Sequence, residues 1–271
     1  MIDLHSHTTA SDGQYAPHEL VALAAQAGVT VLAVTDHDTV AGLGACQSAA
    51  AARGLRLVNG IELSAFINDR EVHILGHFIE PGDARLGGFS AFLRTEREKR
   101  MERMVEKVCS LGFPVTMEEV RTLAGDAHLG RPHLARVMVE RGFCADTKEA
   151  FDRYLGDGRR AYVDRYRLSG QEAIALIRGA KGAATVAHPG TSKLERSELA
   201  SLAAVGLAGL EVYHSDHSPS VRQKFLTLAQ ELDLVPTAGS DFHGEKVAPL
   251  RKLGSTSMPP ENLEQLQARA S

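Results

Sequence analysis

The alternation of hydrophobic and polar positions divides this chain into two outer regions and a middle region with a different pattern. In the outer regions, short apolar runs rich in β-branched residues alternate with amphipathic segments, which is typical of strands joined by helices. The predicted strands are residues 2–4, 30–34, 55–63, 71–78, 183–187, 210–213 and 234–238. Strands joined by helices should be parallel with right-handed crossovers, and seven of them favour a barrel.

Local signals mark the starts of helices and one turn in these outer regions. Prolines at favoured first-turn positions begin two predicted helices, at Pro17 and Pro219. Thr39 is expected to cap an alanine-rich helix, and Asp38 to lie at its start. The Asn68-Asp69 pair between the third and fourth strands indicates a turn.

The middle of the chain, from about residue 85 to 180, shows no convincing strand and is predicted to be a string of helices. Two segments match the capping-box pattern, one from Thr116 to Glu119 and one from Ser169 to Glu172. We interpret this region as a helical insertion at 95–167. The barrel would then comprise residues 1–94 and 168–271.

The charge distribution distinguishes the predicted insertion from the barrel. The chain has 271 residues, of which 24% are charged, and a net charge of −4. That charge argues against a protein that coats nucleic acid or lies on a membrane surface. The insertion has 15 Lys and Arg against 13 Asp and Glu, whereas the remainder has 15 against 21. Contacts to an anionic substrate are therefore sought in the insertion.

Cysteines and hydrophobic runs bear on the cellular compartment. Cys46, Cys109 and Cys144 are far apart and form no CxxC pair, so neither a disulfide framework nor a thiolate zinc site is expected. The amino terminus has no signal-peptide pattern, and no stretch approaches the roughly 20 apolar residues of a membrane span. We expect a cytoplasmic protein without membrane contact, and we predict no stable protein partner.

Histidines and carboxylates follow the predicted strands in short phrases. Imidazole and carboxylate are ligands of borderline and hard divalent cations, and side chains at the carboxyl ends of barrel strands converge on one face. Several clustered metals indicate hydrolysis, most readily of a phosphate ester. The phrases contain His5, His7, Asp12, Asp36, His37, Glu62, His73, His188, Asp241 and His243.

The spacing within these phrases supports chelation. His5 and His7 are two residues apart on an extended segment, so both can face one ion. His77 lies four residues after His73 and could point inward or be structural. His18 and His128 have no comparable setting and are expected to be ordinary surface residues.

The ordered set HxH, SDG, TDH, E, H, AHPG and SDFHG resembles the PHP (polymerase and histidinol phosphatase) family. The resemblance covers the chain outside the insertion. It implies a distorted seven-stranded β/α barrel, here with an inserted all-helical subdomain, and a centre of three divalent metals. Nitrogen and oxygen ligands without thiolate suit manganese, with zinc or iron as alternatives.

The resemblance also implies a ligand set. The three metals would be held by His5, His7, Glu62 and Asp241; by the bridging Glu62 with His73 and His188; and by Asp12, His37 and His243. The metal served by His188 stays open. Asp36 is interpreted as a catalytic-site carboxylate that orients a ligand.

Substrate contacts are also suggested by the resemblance. Arg131 and His133 begin a helix in the insertion, where an anion can bind, and a similar segment in related proteins reaches the phosphate that is not cleaved. His217 is a candidate phosphate contact or leaving-group acid. His214, nearby, is expected to be a surface residue.

These observations predict a metal-dependent phosphoesterase. The favoured reaction removes the 3′-phosphate from a nucleoside 3′,5′-bisphosphate, and the same site could trim short RNA from its 5′ end. The substrate would be a phosphorylated nucleotide or short oligonucleotide. A histidinol-phosphate phosphatase is one alternative, although no acidic partner for the substrate amine is evident. C–N bond hydrolysis is disfavoured because Glu62 stands where a carbamylated lysine often bridges. A non-catalytic metal-binding module is the alternative of another class.

Overall fold

All seven predicted strands are present in the structure, a computed structural model that describes residues 1–125 and 129–270. They form one sheet in which spatial order follows chain order. The strands are β1 (Ile2–Asp3), β2 (Val31–Val34), β3 (Arg56–Ile67), β4 (Arg70–His77), β5 (Ala183–Val186), β6 (Gly209–His214) and β7 (Val235–Gly239). The third is longer than predicted and continues five residues beyond Glu62.

One reversed strand distorts the otherwise parallel sheet. The pairs β1–β2, β2–β3, β5–β6 and β6–β7 are parallel, whereas β4 runs antiparallel to both neighbours. The reversal follows from the tight connection at Asn68-Asp69, since a short hairpin can join only antiparallel strands. Asn68 adopts a left-handed backbone conformation with φ of 56°, which asparagine tolerates better than most residues.

Backbone hydrogen bonds between the first and last strands nearly close the sheet into a barrel. The amide of Leu4 donates to Ala238 O at 2.9 Å, and the amide of Asp241 donates to His5 O at 2.9 Å. A third bond joins the amide of His7 to Phe242 O at 3.0 Å. This is the distorted seven-stranded β/α barrel expected from the sequence. The closure brings the segments after β1 and β7 together.

In the part of the chain that the structure describes, six helices lie wholly within the same compact unit as the strands, which comprises residues 1–88 and 167–271. They are α1 (Pro17–Gln26), α2 (Leu43–Ala51), α7 (Gly170–Gly179), α8 (Arg196–Ala203), α9 (Pro219–Glu231) and α10 (Pro260–Ala268). The predicted starts at Pro17 and Pro219 are confirmed. So is the capping box of α7, in which Ser169 Oγ accepts from the Glu172 amide at 3.2 Å.

The start of α2 differs from the prediction. The helix begins at Leu43 rather than near Thr39, whose hydroxyl accepts a hydrogen bond from the Ala41 amide instead. The Asp38 carboxylate accepts a hydrogen bond from the Ser64 amide on β3 at 3.1 Å. Asp38 therefore connects the segment after β2 to the neighbouring strand and does not lie at a helix start.

Residues 89–166 form a second compact unit. Its described residues, which exclude 126–128, contain four helices wholly or partly: α3 (Ala84–Ser110), α4 (Met117–Ala124), α5 (Arg131–Glu140) and α6 (Thr147–Ala150). The last continues into a π-helical turn at Phe151–Leu155. Their buried faces share a core that includes Met104, Leu134, Met138 and Leu155. Residues 156–168, all of which the structure describes, contain no helix, so the predicted string of helices is interrupted there and resumes with α7.

Helix length and apolarity also bear on membrane contact. Among the residues that the structure describes, no helix combines the length and the apolar character that a bilayer-spanning segment needs.

Candidate metal centre

The predicted metal ligands converge at the end of the barrel where the parallel strands terminate. The segments that follow β1, β2, β5 and β7 supply His5 and His7, then His37, His188, and the pair Asp241 and His243; β3 and β4 supply Glu62 and His73 from within the strands. An isolated parallel β-bridge pairs the backbone of His37 with that of Glu62 beyond the end of β2. The closure between β1 and β7 brings the earliest and latest ligands in the chain together.

Glu62 is the centre of this arrangement, and its side chain is buried. Five imidazole nitrogens lie within 3.4 Å of its two carboxylate oxygens. They are His5 Nε2 and His7 Nε2 at 3.1 Å, His37 Nδ1 at 3.3 Å, His73 Nδ1 at 2.8 Å and His188 Nε2 at 3.4 Å. The two oxygens of one carboxylate have about four lone-pair sites, so they cannot accept a hydrogen bond from each of the five rings. Cations between the carboxylate and the rings would satisfy these groups.

Asp241 and Asp12 approach a sixth imidazole, His243, and three of the five that surround Glu62. Asp241 Oδ1 lies 3.2 Å from His7 Nε2, 3.3 Å from His5 Nε2 and 3.4 Å from His243 Nδ1. Asp12 Oδ1 lies 3.3 Å from His243 Nε2, and Asp12 Oδ2 lies 3.8 Å from His37 Nε2. The side chain of Asp12 is 55% exposed, so this edge of the centre faces solvent.

Among residues 1–125 and 129–270, three overlapping groups have ligand atoms within 4.8 Å of one another. They are His5, His7, Glu62 and Asp241; His37, Glu62 and His73; and His7, Asp12, His37 and His243. The first is the predicted group without change. The third adds His7 to the predicted set, and in the second His37 stands where His188 was predicted. His188 nevertheless approaches Glu62 Oε1, the same oxygen that His73 approaches.

Unpaired buried atoms provide the test of whether these residues fit metal ions. Five of them hydrogen-bond to none of the residues that the structure describes: both ring nitrogens of His7, His37 Nδ1, His73 Nδ1 and Glu62 Oε1. Leaving such atoms without a partner costs about 1–3 kcal/mol each. All of them face the shared centre, and their nitrogen and oxygen donors suit divalent cations. The donor set therefore fits the metal ions implied by the sequence.

The crowding of carboxylates and imidazoles also shifts their pKa values. Burial alone would lower the pKa of His7, but Asp241 and Glu62 outweigh it and raise that pKa to about 9. Burial would raise the pKa of Glu62, but the surrounding imidazoles hold it well below its ordinary value. The carboxylates therefore stay ionised although they are buried. Divalent cations would compete with protons for the ring nitrogens, since histidine must be neutral to bind a metal.

Two buried residues of β6 support the centre, and the sequence did not identify them as site residues. Glu211 Oε1 accepts a hydrogen bond from His5 Nδ1 at 3.0 Å, and its Oε2 accepts one from the His188 amide at 2.7 Å. His214 is fully buried, with Nε2 3.6 Å from Asp241 Oδ2, so the expectation that it lies on the surface was wrong. Glu211 and His214 are three residues apart, a spacing that puts two side chains on opposite faces of a regular strand. A β-bulge between Glu211 and Tyr213 shifts the register of β6, so the spacing alone gave no signal that both residues face the centre.

Asp36 is hydrogen-bonded to the loop that carries the predicted ligand Asp12. Its carboxylate accepts hydrogen bonds from the Thr8 amide at 2.7 Å, the Thr8 hydroxyl at 2.8 Å and the Ser11 hydroxyl at 2.7 Å. These bonds hold the loop that carries Asp12. Asp36 therefore acts on a metal-ligand loop through backbone and hydroxyl contacts, rather than by touching an imidazole.

His217 is buried and both of its ring nitrogens bond to backbone. Nδ1 donates to Val212 O at 3.0 Å, and Nε2 accepts from the Gly190 amide at 3.1 Å, while the ring stacks on Phe225. Burial lowers its pKa. These contacts hold the turn after His188, and they leave no ring nitrogen for the expected contact to phosphate or for proton donation to a leaving group.

Arg131 and His133 begin α5, as predicted. Arg131 Nη1 pairs with Asp157 Oδ1 at 2.5 Å, and its guanidinium lies over the rings of Phe151 and Tyr162. His133 Nδ1 accepts a hydrogen bond from the Gly130 amide at 3.1 Å, which caps the helix. Arg131 is thus held in place within the second compact unit.

The remaining histidines have structural or surface settings. His77 is buried, donates from Nε2 to Leu4 O at 2.9 Å and faces the Thr185 hydroxyl at 3.3 Å through Nδ1. It therefore supports the barrel and does not enter the metal centre. His18 is exposed as expected, and His128 lies outside the described residues.

The fold and the centre together define a class of protein. A β/α barrel that gathers imidazoles and carboxylates into overlapping ligand groups at its strand ends is the framework of a metal-dependent hydrolase.

Comparison with known proteins gives the family. A PHP domain model matches residues 3–155. The chain is 36% identical over 245 residues to a 5′-3′ exoribonuclease of Haemophilus influenzae, covering 89% of each chain. It is 36% identical over 250 residues to a 3′,5′-nucleoside bisphosphate phosphatase of Chromobacterium violaceum, covering 89% of this chain and 87% of that one.

A solved structure agrees with these matches. A protein of Bifidobacterium adolescentis described as a metal-dependent phosphoesterase superposes with a TM-score of 0.79 and 33% identity, covering 99% of this chain and 96% of the other. The chain belongs to the PHP family. It is a metal-dependent phosphoesterase, a hydrolase that acts on phosphate ester bonds.

Proposed function

We propose that this phosphoesterase removes the 3′-phosphate of nucleoside 3′,5′-bisphosphates to give the 5′-monophosphate, and that the same site trims short RNA from its 5′ end. The observation that carries the proposal is the buried carboxylate of Glu62 among five imidazoles, which suits adjacent cations around one phosphate. The two relatives named for these activities cover most of this chain, which supports the choice of substrate.

We propose three divalent cations, manganese or alternatively zinc or iron, held by nine residues. The residues are His5, His7, Asp12, His37, Glu62, His73, His188, Asp241 and His243. Bound divalent cations lower the pKa of an attacking water and offset the charge that develops on phosphate oxygens. Glu62 contributes to more than one ligand group, so it would keep neighbouring cations at a fixed separation.

The protein's own groups fix the orientation of these ligands. Glu211 holds the ring of His5 so that Nε2 faces Glu62 and Asp241. Asp36 holds the loop that carries Asp12, and His217 holds the turn after His188. Pre-set ligands lower the cost of rearrangement when a phosphate binds and reacts.

We further propose that Arg131 and His133 bind the 5′-phosphate, which is not cleaved. The amino terminus of α5 offers backbone N–H groups to an anion, and an arginine guanidinium matches two phosphate oxygens. Two aromatic rings already hold the guanidinium of Arg131, so binding would order little additional structure. We propose 89–166 as the extent of the insertion that supplies these groups, in place of 95–167.

A substrate comparison tests the proposal. Protein stripped with a chelator and reloaded with manganese would be assayed on a nucleoside 3′,5′-bisphosphate, a short 5′-phosphorylated RNA and histidinol phosphate. We expect the bisphosphate to have the highest kcat/KM, and Asp241→Asn to lose at least about 100-fold because a ligand is weakened. Preference for histidinol phosphate, or full activity of Asp241→Asn, would contradict the proposal.

A further inference from the structure

A cleft of about 430 Å³ adjoins the metal centre. Residues 247–251 form one wall, and Asp12, Asp216 and His243 complete the lining. Resting on the proposed function, we propose that this cleft binds the nucleoside of the substrate while the scissile phosphate occupies the metal centre. Two lining residues, Asp12 and His243, are also predicted metal ligands, so a group in the cleft lies beside the reacting phosphate.

The wall of the cleft exposes apolar side chains to an unusual degree. Leu250 is 88% exposed and Val247 is 55% exposed, the two highest values for large hydrophobic residues in the described part of the chain. Pro249 and Ala248 lie between them and add apolar surface. Exposed apolar side chains beside a concave site are typical of ligand binding, because burying them against a ligand is favourable.

The wall is fixed to the metal centre by Arg251. Its guanidinium pairs with Asp241 and, through Nη2, with Asp216 Oδ2 at 2.6 Å. Backbone bonds from the amides of Val247 and Ala248 to Gly244 O, at 3.1 and 2.8 Å, hold the start of the segment. The apolar wall therefore has a set position relative to Asp241.

The charges in the cleft favour an uncharged occupant. Asp12 and Asp216 both line it, and Arg251 is already shared between two carboxylates. A second phosphate group would meet carboxylates here, which costs like-charge repulsion. The volume lies within the 300–1,000 Å³ typical of small-molecule sites. A base and sugar meet both requirements.

Serine substitutions in the wall test the proposal through the split between KM and kcat. For Leu250→Ser and Val247→Ser, we expect KM for the nucleoside 3′,5′-bisphosphate to rise about 5- to 10-fold with kcat nearly unchanged, since apolar contact to the base is lost. Glycerol 2-phosphate, which has no base, should be hydrolysed as before. The control is Val205→Ser, another exposed valine, which does not line this cleft.

A binding measurement separates this proposal from the proposed function. Calorimetry would compare adenosine 5′-monophosphate binding to the manganese-loaded parent and to Leu250→Ser, without any turnover. Weaker binding of adenosine 5′-monophosphate by Leu250→Ser than by the parent supports the nucleoside cleft even if the bisphosphate proves to be no substrate. Equal binding of adenosine 5′-monophosphate by the parent and Leu250→Ser, or equal changes in KM for the bisphosphate and for glycerol 2-phosphate, would overturn it.

Discussion

The carboxylate of Glu211 accepts a hydrogen bond from His5 Nδ1 at 3.0 Å, with both side chains buried. This bond places the proton of the neutral imidazole on Nδ1 and leaves Nε2 directed at Glu62 and Asp241. Carboxylates that hold a metal-binding histidine in this way strengthen its basicity and fix its ring. Since Glu211 also accepts from the His188 amide, one side chain orients two predicted ligands.

Replacing Glu211 with Gln should weaken metal binding about 10- to 100-fold, because an amide N–H would face either the His5 N–H or the His188 N–H. Calorimetric titration with manganese measures the change in metal affinity, and circular dichroism checks the fold. Glu231→Gln, which alters a surface pair with Arg196, is the control. Unchanged metal affinity in Glu211→Gln would show that the carboxylate does not position these ligands.

The contrast between Glu211 and the predicted ligands shows what sequence reasoning can reach. His5, His7, Asp241 and His243 stand in short phrases directly after apolar runs, so their position at one end of the barrel followed from strand topology. Glu211 lies inside a strand, where the pattern shows only that a polar residue is present. Its role depends on β6 lying beside β7 and on the closure between β7 and β1.

His217 has partners that its position in the sequence did not predict. Its place after a strand, in a segment similar to that of related proteins, suggested a substrate contact. The backbone carbonyl of Val212 and the amide of Gly190 occupy its two nitrogens instead. The hydrogen bond from the Gly190 amide to His217 depends on how the distant loop after β5 is folded. The spacing of residues in the sequence does not predict the path of that loop.

Asp36→Asn should loosen the loop that carries Asp12. Asparagine keeps one acceptor oxygen, whereas the Asp36 carboxylate accepts three hydrogen bonds from Thr8 and Ser11 with two oxygens. We expect the weakest-bound metal to be lost first, since Asp12 is the most exposed of the predicted ligands, and kcat to fall about 10-fold. Metal content after gel filtration provides the measurement. Retention of the parent's full metal content would contradict this role.

The buried ring of His77 should make stability depend on pH. Burial lowers its pKa from 6.5 to about 4, and the hydrogen bond to Leu4 O only partly offsets this. The unfolded chain takes up the proton near pH 6.5 and the folded chain only near pH 4. Unfolding therefore binds a proton in this window, and the free energy of unfolding falls by about 3 kcal/mol as pH drops through it.

His77→Gln isolates that contribution. Glutamine can still donate to Leu4 O but does not titrate. Between pH 6.5 and 4, the free energy of unfolding should therefore fall by about 3 kcal/mol less in the variant than in the parent. Urea unfolding at several pH values in the presence of a chelator measures the difference while the other histidines titrate in both proteins. If the free energy of unfolding changed with pH equally in parent and variant, His77 would not stay neutral in the folded state.

Arg131→Gln should raise KM for the nucleoside 3′,5′-bisphosphate about 10-fold and leave glycerol 2-phosphate unaffected, because only the bisphosphate presents a second phosphate to bind. Arg153→Gln is a matched control. Arg153 also pairs with a carboxylate, Glu149, and its guanidinium also lies over an aromatic ring, that of Tyr154. Equal effects of the two substitutions would indicate general loosening of the second unit. An unchanged KM for the bisphosphate in Arg131→Gln would place the 5′-phosphate elsewhere.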